Sequence, residues 1–223
     1  MSVQAAYDHW STTYDTDKNL TRDLDQVVTR EALMDLECQS VVEIGCGTGK
    51  NTLLLSQIAE KVYAIDFSAS MIEKAKEKVS SANVVFVTED ITQQWTCANE
   101  SADLITCNLV LEHIQDLSFV FSEAFRVLIK GGYFFISELH PFRQYRGTQA
   151  NFQRNQEVIE IPAFRHHLSD FFNAAKNHGF MLEDFKEWWH QQDQNQPPRL
   201  ASFLFRKCGR LLLGCDRKTQ LHH

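Results

Sequence analysis

Between residues 21 and 139, apolar residues alternate between stretches at helical spacing and unbroken short runs, with few positions spent on joints. The first pattern marks amphipathic helices, and the second marks strands buried on both faces. Leu24, Val27, Val28, Ala32 and Leu36 fall on one helical face, with Thr21 placed to cap it. "SVVEIG" then predicts a strand and "NTLLLSQIA" a helix. "KVYAID" predicts a second strand, leading into a helix that buries Met71, Ile72, Ala75 and Val79, with Ser70 and Glu73 at capping-box spacing. "NVVFVTED" and "ADLITCNLV" follow as the third and fourth strands. Asp116 opens a helix with Leu117, Val120, Phe121, Ala124, Val127 and Leu128 inward, and "GGYFFISEL" is the fifth strand.

The tail breaks this rhythm. "SDFFNAAKNHG" predicts a helix stopped by Gly179, and "FMLEDFKEWW" and "RLASFLFRKC" follow as strands with only "HQQDQNQPP" between them. Strands joined without a helix pair antiparallel, whereas those joined through helices pair parallel. The expectation is a single doubly wound, Rossmann-like α/β domain over residues 1–223, which binds its ligand at the carboxyl ends of the strands. Two segments stand outside it: a lid helix over 1–20, and an insertion over 139–167 in which "VIEI" forms part of a hairpin.

Composition narrows the function. The 223 residues include 43% hydrophobic residues and 16 phenylalanines, as a packed globule requires. A formal net charge of -7 disfavours nucleic acid or an anionic membrane as partner, and the basic "RKCGRLLLGCDRK" reads as a solvated terminal segment. No secretory signal or membrane-spanning run is expected, and the six cysteines follow no metal-ligand rhythm, so no metal site is expected and the expected compartment is the cytoplasm.

The chemistry concentrates in "VVEIGCGTGKNT". Gly45, Gly47 and Gly49 let the backbone turn sharply and approach a ligand where any Cβ would intrude. The spacing is GxGxG, not the GxGxxG of dinucleotide binders, and no GxxxxGK[ST] phosphate loop is present. Asp66 ends the second strand, where a carboxylate can accept from both hydroxyls of a ribose, and Asp90 follows the third.

With these motifs the chain resembles the class I S-adenosylmethionine-dependent methyltransferases over residues 7–208. The glycine motif, the acidic ends "VYAIDFS" and "VTEDI", "CNLVLEHI" after strand four, and the closing strand pair carry the resemblance. "YDHWSTTYD" followed by "LTRDLD" resembles the branch acting on small molecules, such as quinones and natural products. The resemblance implies seven strands in the order 3-2-1-4-5-7-6, the seventh antiparallel, with S-adenosylmethionine as cofactor. It implies Gly45, Cys46 and Gly47 along the methionine part, Glu43 organising that loop, Asp66 on the ribose, and Phe67 and Met71 beside the adenine. Asp90 and Ile91 would hold the adenine edge and face, Asn108 and Val110 would pass beneath the sulfonium, and Tyr14 would close on the cofactor.

Tyr7, Trp10 and Tyr14 form an aromatic stripe for a lid over the acceptor, or simply a face packed on the core. His140 is the expected general base, with Arg143, Tyr145, Arg146 and His113 as acceptor-binding residues. The expected reaction is methyl transfer to oxygen or nitrogen of a small, ring-bearing metabolite by a monomer or homodimer. RNA or protein methylation, and a regulatory protein that binds the cofactor without catalysis, stand as alternatives.

Overall fold

In the computed structural model, which describes residues 1–154 and 157–208, the chain builds a seven-stranded sheet in the order β3-β2-β1-β4-β5-β9-β8. Its strands are β1 (Cys38–Ile44), β2 (Ala59–Asp66), β3 (Val84–Thr88), β4 (Ala102–Asn108), β5 (Leu128–Leu139), β8 (Phe180–Trp188) and β9 (Leu200–Lys207). The first five run parallel, and β9 lies antiparallel between β5 and β8. This is the strand order that the family resemblance implies, with the last strand reversed. The short β6 (Asn151–Arg154) and β7 (Glu157–Glu160) form a separate antiparallel hairpin, which includes the "VIEI" segment. The part of the terminal basic segment beyond Cys208, Cys215 included, lies outside the described residues.

The helices are α1 (Val3–Trp10), α2 (Leu20–Leu33), α3 (Thr52–Ile58), α4 (Ala69–Lys78), α5 (Leu117–Val127), α6 (Pro141–Tyr145) and α7 (Leu168–Asn177). Strands β1 and β4 are buried on both faces where they cross the middle of the sheet, because α2 and α3 cover one face and α5 and α7 the other, and among mostly apolar residues they carry the buried Glu43 and Thr106. The second face is aromatic: Phe121 meets Phe134, Phe180 and Phe205 edge-on, and Phe171 stacks on Phe203 at 4.9 Å.

Local signals fared unevenly. Asp116 caps α5 by accepting from the Ser118 N–H, and Gly179 stops α7 with a φ of +82°. Helix α2 starts earlier than expected, since Asn19 accepts from the N–H groups of Thr21 and Arg22 and so caps the helix in place of Thr21. Val27 is 49% exposed, outside the buried stripe of Leu24 and Val28, and Leu36 falls beyond the helix. In α4 the cap is Ser68, not Ser70, because its hydroxyl reaches the Met71 N–H. Leu128 begins β5 instead of ending α5, and β4 stops at Asn108 because Leu109 turns to a φ of +56°.

Between β8 and β9 the polar turn is tied by charge. Arg143 and Arg199 both reach Asp193 Oδ1, at 2.8 and 2.5 Å, and Asp193 is buried. Burial alone would raise its carboxyl, but hydrogen bonds from Arg199 and the His190 N–H, with both guanidinium charges, hold it down at about 2. Removing the carboxylate leaves two nearly buried cations without a counter-ion, so Asp193→Ala should lower unfolding free energy by about 3 kcal/mol in urea titrations at neutral pH. Because the folded value lies below the unfolded 3.8, the contribution is present above pH about 4 and fades as pH falls towards 2.

Candidate functional site

At the carboxyl ends of β1 to β4, where the strand order reverses, the fold leaves a cleft of about 330 Å³. Its floor is the turn after β1. Gly45 and Gly47 have φ of +70° and +53°, a region that side chains with a Cβ rarely enter. A Cβ on Gly45 would sit 2.1 Å from Val110 Cγ2, so this glycine lets the loop after β4 close against the turn. A Cβ on Gly47 would meet no atom within 4 Å, since that position faces the open cleft.

One carboxylate fixes this turn. Asp66, at the end of β2, accepts from the Gly47 N–H and the Ser68 N–H, both at 2.9 Å. Burial pushes its carboxyl up to about 6, against the lowering effect of those two N–H groups. Glu43 lies behind the turn: Thr52 donates to it at 2.5 Å, and burial raises it to about 8. Asn108 donates to Asp25 and Thr29, and Asp25 also accepts from Asn51, so a buried carboxylate on α2 braces both the end of β4 and the start of α3. Glu138 does the same from β5, accepting from the N–H groups of Val110 and Leu111. Asp90 closes its own turn by accepting from Thr92, and Ile91 is buried beside it.

Helix α1 roofs the cleft. Gln4 donates to the Phe67 carbonyl and Ser68 donates to Asp8, latching the helix to the loop after β2. Tyr7 projects into the space below, 2.8 Å from His113 Nε2, while His113 Nδ1 lies 2.8 Å from the Pro162 carbonyl. A carbonyl only accepts, so Nδ1 carries the proton, and Nε2 is left to accept from the Tyr7 hydroxyl. Burial lowers the His113 pKa, which favours this neutral form. Trp10 turns away from the cleft and stacks on Phe152 of the hairpin at 5.6 Å, so the lid and the insertion share a small core with Ala6 and Ile161.

The cleft thus brings together Gly45, Gly47, Asp66, Phe67, Met71, Asp90, Ile91, Asn108, Val110, Tyr7, Tyr14 and His113. Glu43 and Cys46 stand behind that lining. Tyr14 lies in the turn after α1, so the expected stripe is not one helical face, although Tyr14 packs edge-on against Trp10 at 4.7 Å. The residues of the expected acceptor group on α6 lie elsewhere. His140 caps α6 through Nδ1 to the Phe142 N–H, and its Nε2 sits 2.9 Å from Glu187. Arg143 is held by Asp193, Tyr145 is exposed beside His167, and Arg146 reaches Gln196. The strand ends at Leu139, so His140 does not continue the face of β5 and stands outside the cleft. Gln4, Thr92, Leu109 and Ile114 also line the cleft, and nothing in their local pattern singles them out.

The chain matches the methyltransferase domain family over residues 42–136. It is 26% identical over 216 residues to an uncharacterized methyltransferase, AN0656, of Emericella nidulans, covering 79% of this chain and 75% of that protein. A ubiquinone biosynthesis O-methyltransferase of Xanthomonas oryzae pv. oryzae is 28% identical over 184 residues, covering 77% and 74% of the two chains. The crystal structure of the N-methyltransferase NodS of Bradyrhizobium japonicum with S-adenosyl-L-homocysteine superposes with a TM-score of 0.71 at 15% identity, over 93% and 99% of the two chains.

The two glycines make separable demands. Gly45→Ala, strained in φ and colliding with Val110, should lower the melting temperature by several degrees, a loss of about 1 to 2 kcal/mol. Gly47→Ala carries only the backbone cost, and should melt closer to the parent while losing more affinity for S-adenosylhomocysteine, read by calorimetry.

Proposed function

The chain is a class I S-adenosylmethionine-dependent methyltransferase, and we propose that it methylates an oxygen or nitrogen of a small, ring-bearing molecule. The carrying observation is the Tyr7–His113 pair inside a roofed cleft. Helix α1, backed by the hairpin, covers the space above the turn, which suits a small acceptor better than a folded RNA or protein. The O-methyltransferase relative agrees with this reading.

The residues present fit the cofactor: a glycine whose missing Cβ opens the cleft, a carboxylate at the end of β2 for a ribose diol, and buried apolar surface at Ile91 and Met71 for a ring. When bound, S-adenosylmethionine supplies an electrophilic methyl group on a sulfonium. Asp66 would accept from the ribose hydroxyls, Asp90 would hold the adenine edge, and Phe67 and Met71 would flank the ring. Asn108, oriented by Asp25, and Val110 would line the methionine end.

Tyr7 replaces His140 in the acid–base role. Its hydroxyl donates to His113 Nε2 and keeps lone pairs free to accept from an acceptor hydroxyl. As the acceptor oxygen loses its proton to Tyr7, the phenol passes its own to His113, so no phenolate forms, in keeping with a Tyr7 pKa that burial raises far above the usual value. Exclusion of water by the roof strengthens this orientation.

Two outcomes test the assignment. Tyr7→Phe and His113→Ala should each lower the rate of labelled-methyl transfer to small phenols by about 100-fold, with S-adenosylhomocysteine affinity nearly unchanged. Equal loss of both quantities would reduce the pair to a structural role. For Asp66 the required form is the ionised carboxylate, and the unliganded group sits near 6. S-adenosylhomocysteine affinity should therefore hold above pH 6 and fall below it, approaching about tenfold per pH unit, and Asp66→Asn should flatten that dependence.

A further inference from the structure

The proton relay from Tyr7 ends on His113, and the charge it leaves there needs a partner. When Tyr7 passes its proton to Nε2, the ring becomes an imidazolium, the form that burial disfavours at this position. The Nδ1–H group still donates to the Pro162 carbonyl at 2.8 Å, which satisfies the hydrogen but supplies no counter-charge.

Glu112 stands next to His113 on the 3₁₀ turn Leu111–His113 that follows β4. Its Oε1 lies 3.8 Å from His113 Nε2, and no other carboxylate among the described residues pairs with that ring. It is also the least satisfied of the buried acids. Asp66 and Glu138 each accept from two backbone N–H groups, and Asp25 accepts from two asparagines. Glu43 accepts from Thr52 at 2.5 Å, and Glu123 and Asp193 face arginines. The Glu112 carboxylate, on a residue only 6% exposed, has a single long contact, 3.4 Å from Gln144 Nε2. A buried carboxylate held so loosely is costly to ionise until a cation forms beside it.

Resting on the acid–base reading of Tyr7 and His113, we propose that Glu112 is the counter-ion of the His113 imidazolium formed during methyl transfer, a positioning residue that acts through His113 and never touches the acceptor. The acceptor proton moves to Tyr7 and the Tyr7 proton to His113 Nε2. The acceptor oxygen meanwhile bonds the methyl carbon, and the electron pair of the broken C–S bond stays on sulfur. Burial raises the Glu112 carboxyl to about 7, and an imidazolium beside it favours the ionised form. A proton still on Glu112 at that moment leaves through a second cavity of about 60 Å³, which Glu112 lines with Tyr7, Thr148 and Gln149 and which has room for water. The other charged or titratable groups facing Glu112 are Tyr14, Arg22 on α2 and Glu138 on β5. Arg22 donates to the Tyr14 and Asp17 carbonyls and forms no ion pair with Glu112, whereas Glu138 and Glu112 oppose each other's ionisation.

Two phenols and a variant of unchanged shape test this on the full chain. Glu112→Gln keeps the size of the side chain and removes its charge. With 4-methoxyphenol, whose proton must be removed, it should lower kcat for labelled-methyl transfer by about tenfold or more, leaving KM and S-adenosylhomocysteine affinity within about twofold of the parent. In a Tyr7→Phe background, where no proton reaches His113, the same change should alter the rate by less than about twofold. Bound 4-nitrophenol gives a readout without turnover. With S-adenosylhomocysteine in place, the pH at which its absorbance shows half ionisation should rise by about one unit or more in Glu112→Gln, because the imidazolium that takes its proton has lost its counter-ion. Glu112→Asp, which keeps the charge but sets it farther from the ring, should fall between the two. The proposal is overturned by a parent-like rate or a parent-like nitrophenol titration in Glu112→Gln, by an equal loss in both Tyr7 backgrounds, or by loss of S-adenosylhomocysteine binding, which marks Glu112 as a structural brace. Full activity in Tyr7→Phe, or a parent protein that neither methylates 4-methoxyphenol nor shifts the nitrophenol titration from its value in water, would overturn the Tyr7–His113 reading itself.

Discussion

The site depends on one carboxylate placed where two strands part. Asp66 ends β2, and the backbone N–H of Gly47 must come to it from the neighbouring turn, which requires a positive φ on both sides of Cys46. Any side chain at residue 45 would push that turn away from Val110, and with it the end of β4 from the floor of the cleft. The same carboxylate takes the Ser68 N–H, and the Ser68 hydroxyl in turn donates to Asp8 on the roof. Floor, wall and lid are therefore coupled through a few short polar contacts around a single acidic group.

The roof is a composite. Helix α1 is only Val3–Trp10, too short to hold its shape alone, and it is fixed by Trp10 against Phe152 on one side and by Gln4 and Asp8 on the other. The hairpin between α6 and α7 thus acts at a distance from the reacting groups. It packs the back of the aromatic cluster whose front, Tyr7, faces the cleft, and the Pro162 carbonyl just beyond it sets the tautomer of His113. An insertion that looks from its length like an acceptor loop works largely as the support of the lid.

Legibility from sequence follows the range of the interactions. The parallel strands, the antiparallel closing pair, the glycine turn and the place of Asp66 at the end of β2 were readable because each depends on local chemistry along the chain, whereas the order of the strands in the sheet came from the family resemblance. The cap at Asp116 was readable for the same reason. His140 lies outside the cleft because β5 ends one residue before it and Pro141 starts a helix there. Asp25 and Glu138 each sit in an ordinary helix or strand position and acquire their roles only from what packs against them: two asparagines, two backbone amides.

The pattern of charge gives the cleft a direction. Asp25, Glu43, Asp66, Glu112 and Glu138 are all buried around it, and burial raises every one of their carboxyl pKa values. Such a shell is uncomfortable when ionised and empty, and it is relieved by a cation. A sulfonium provides one, whereas the thioether left after methyl transfer does not. The buried acids should therefore favour the methylated cofactor over its demethylated product, and the difference grows as pH rises through 6 to 8, where Asp66, Glu112, Glu43 and Glu138 pass to their ionised forms. The same burial that makes these carboxylates costly to ionise in the empty fold would favour a sulfonium over a neutral thioether beside them.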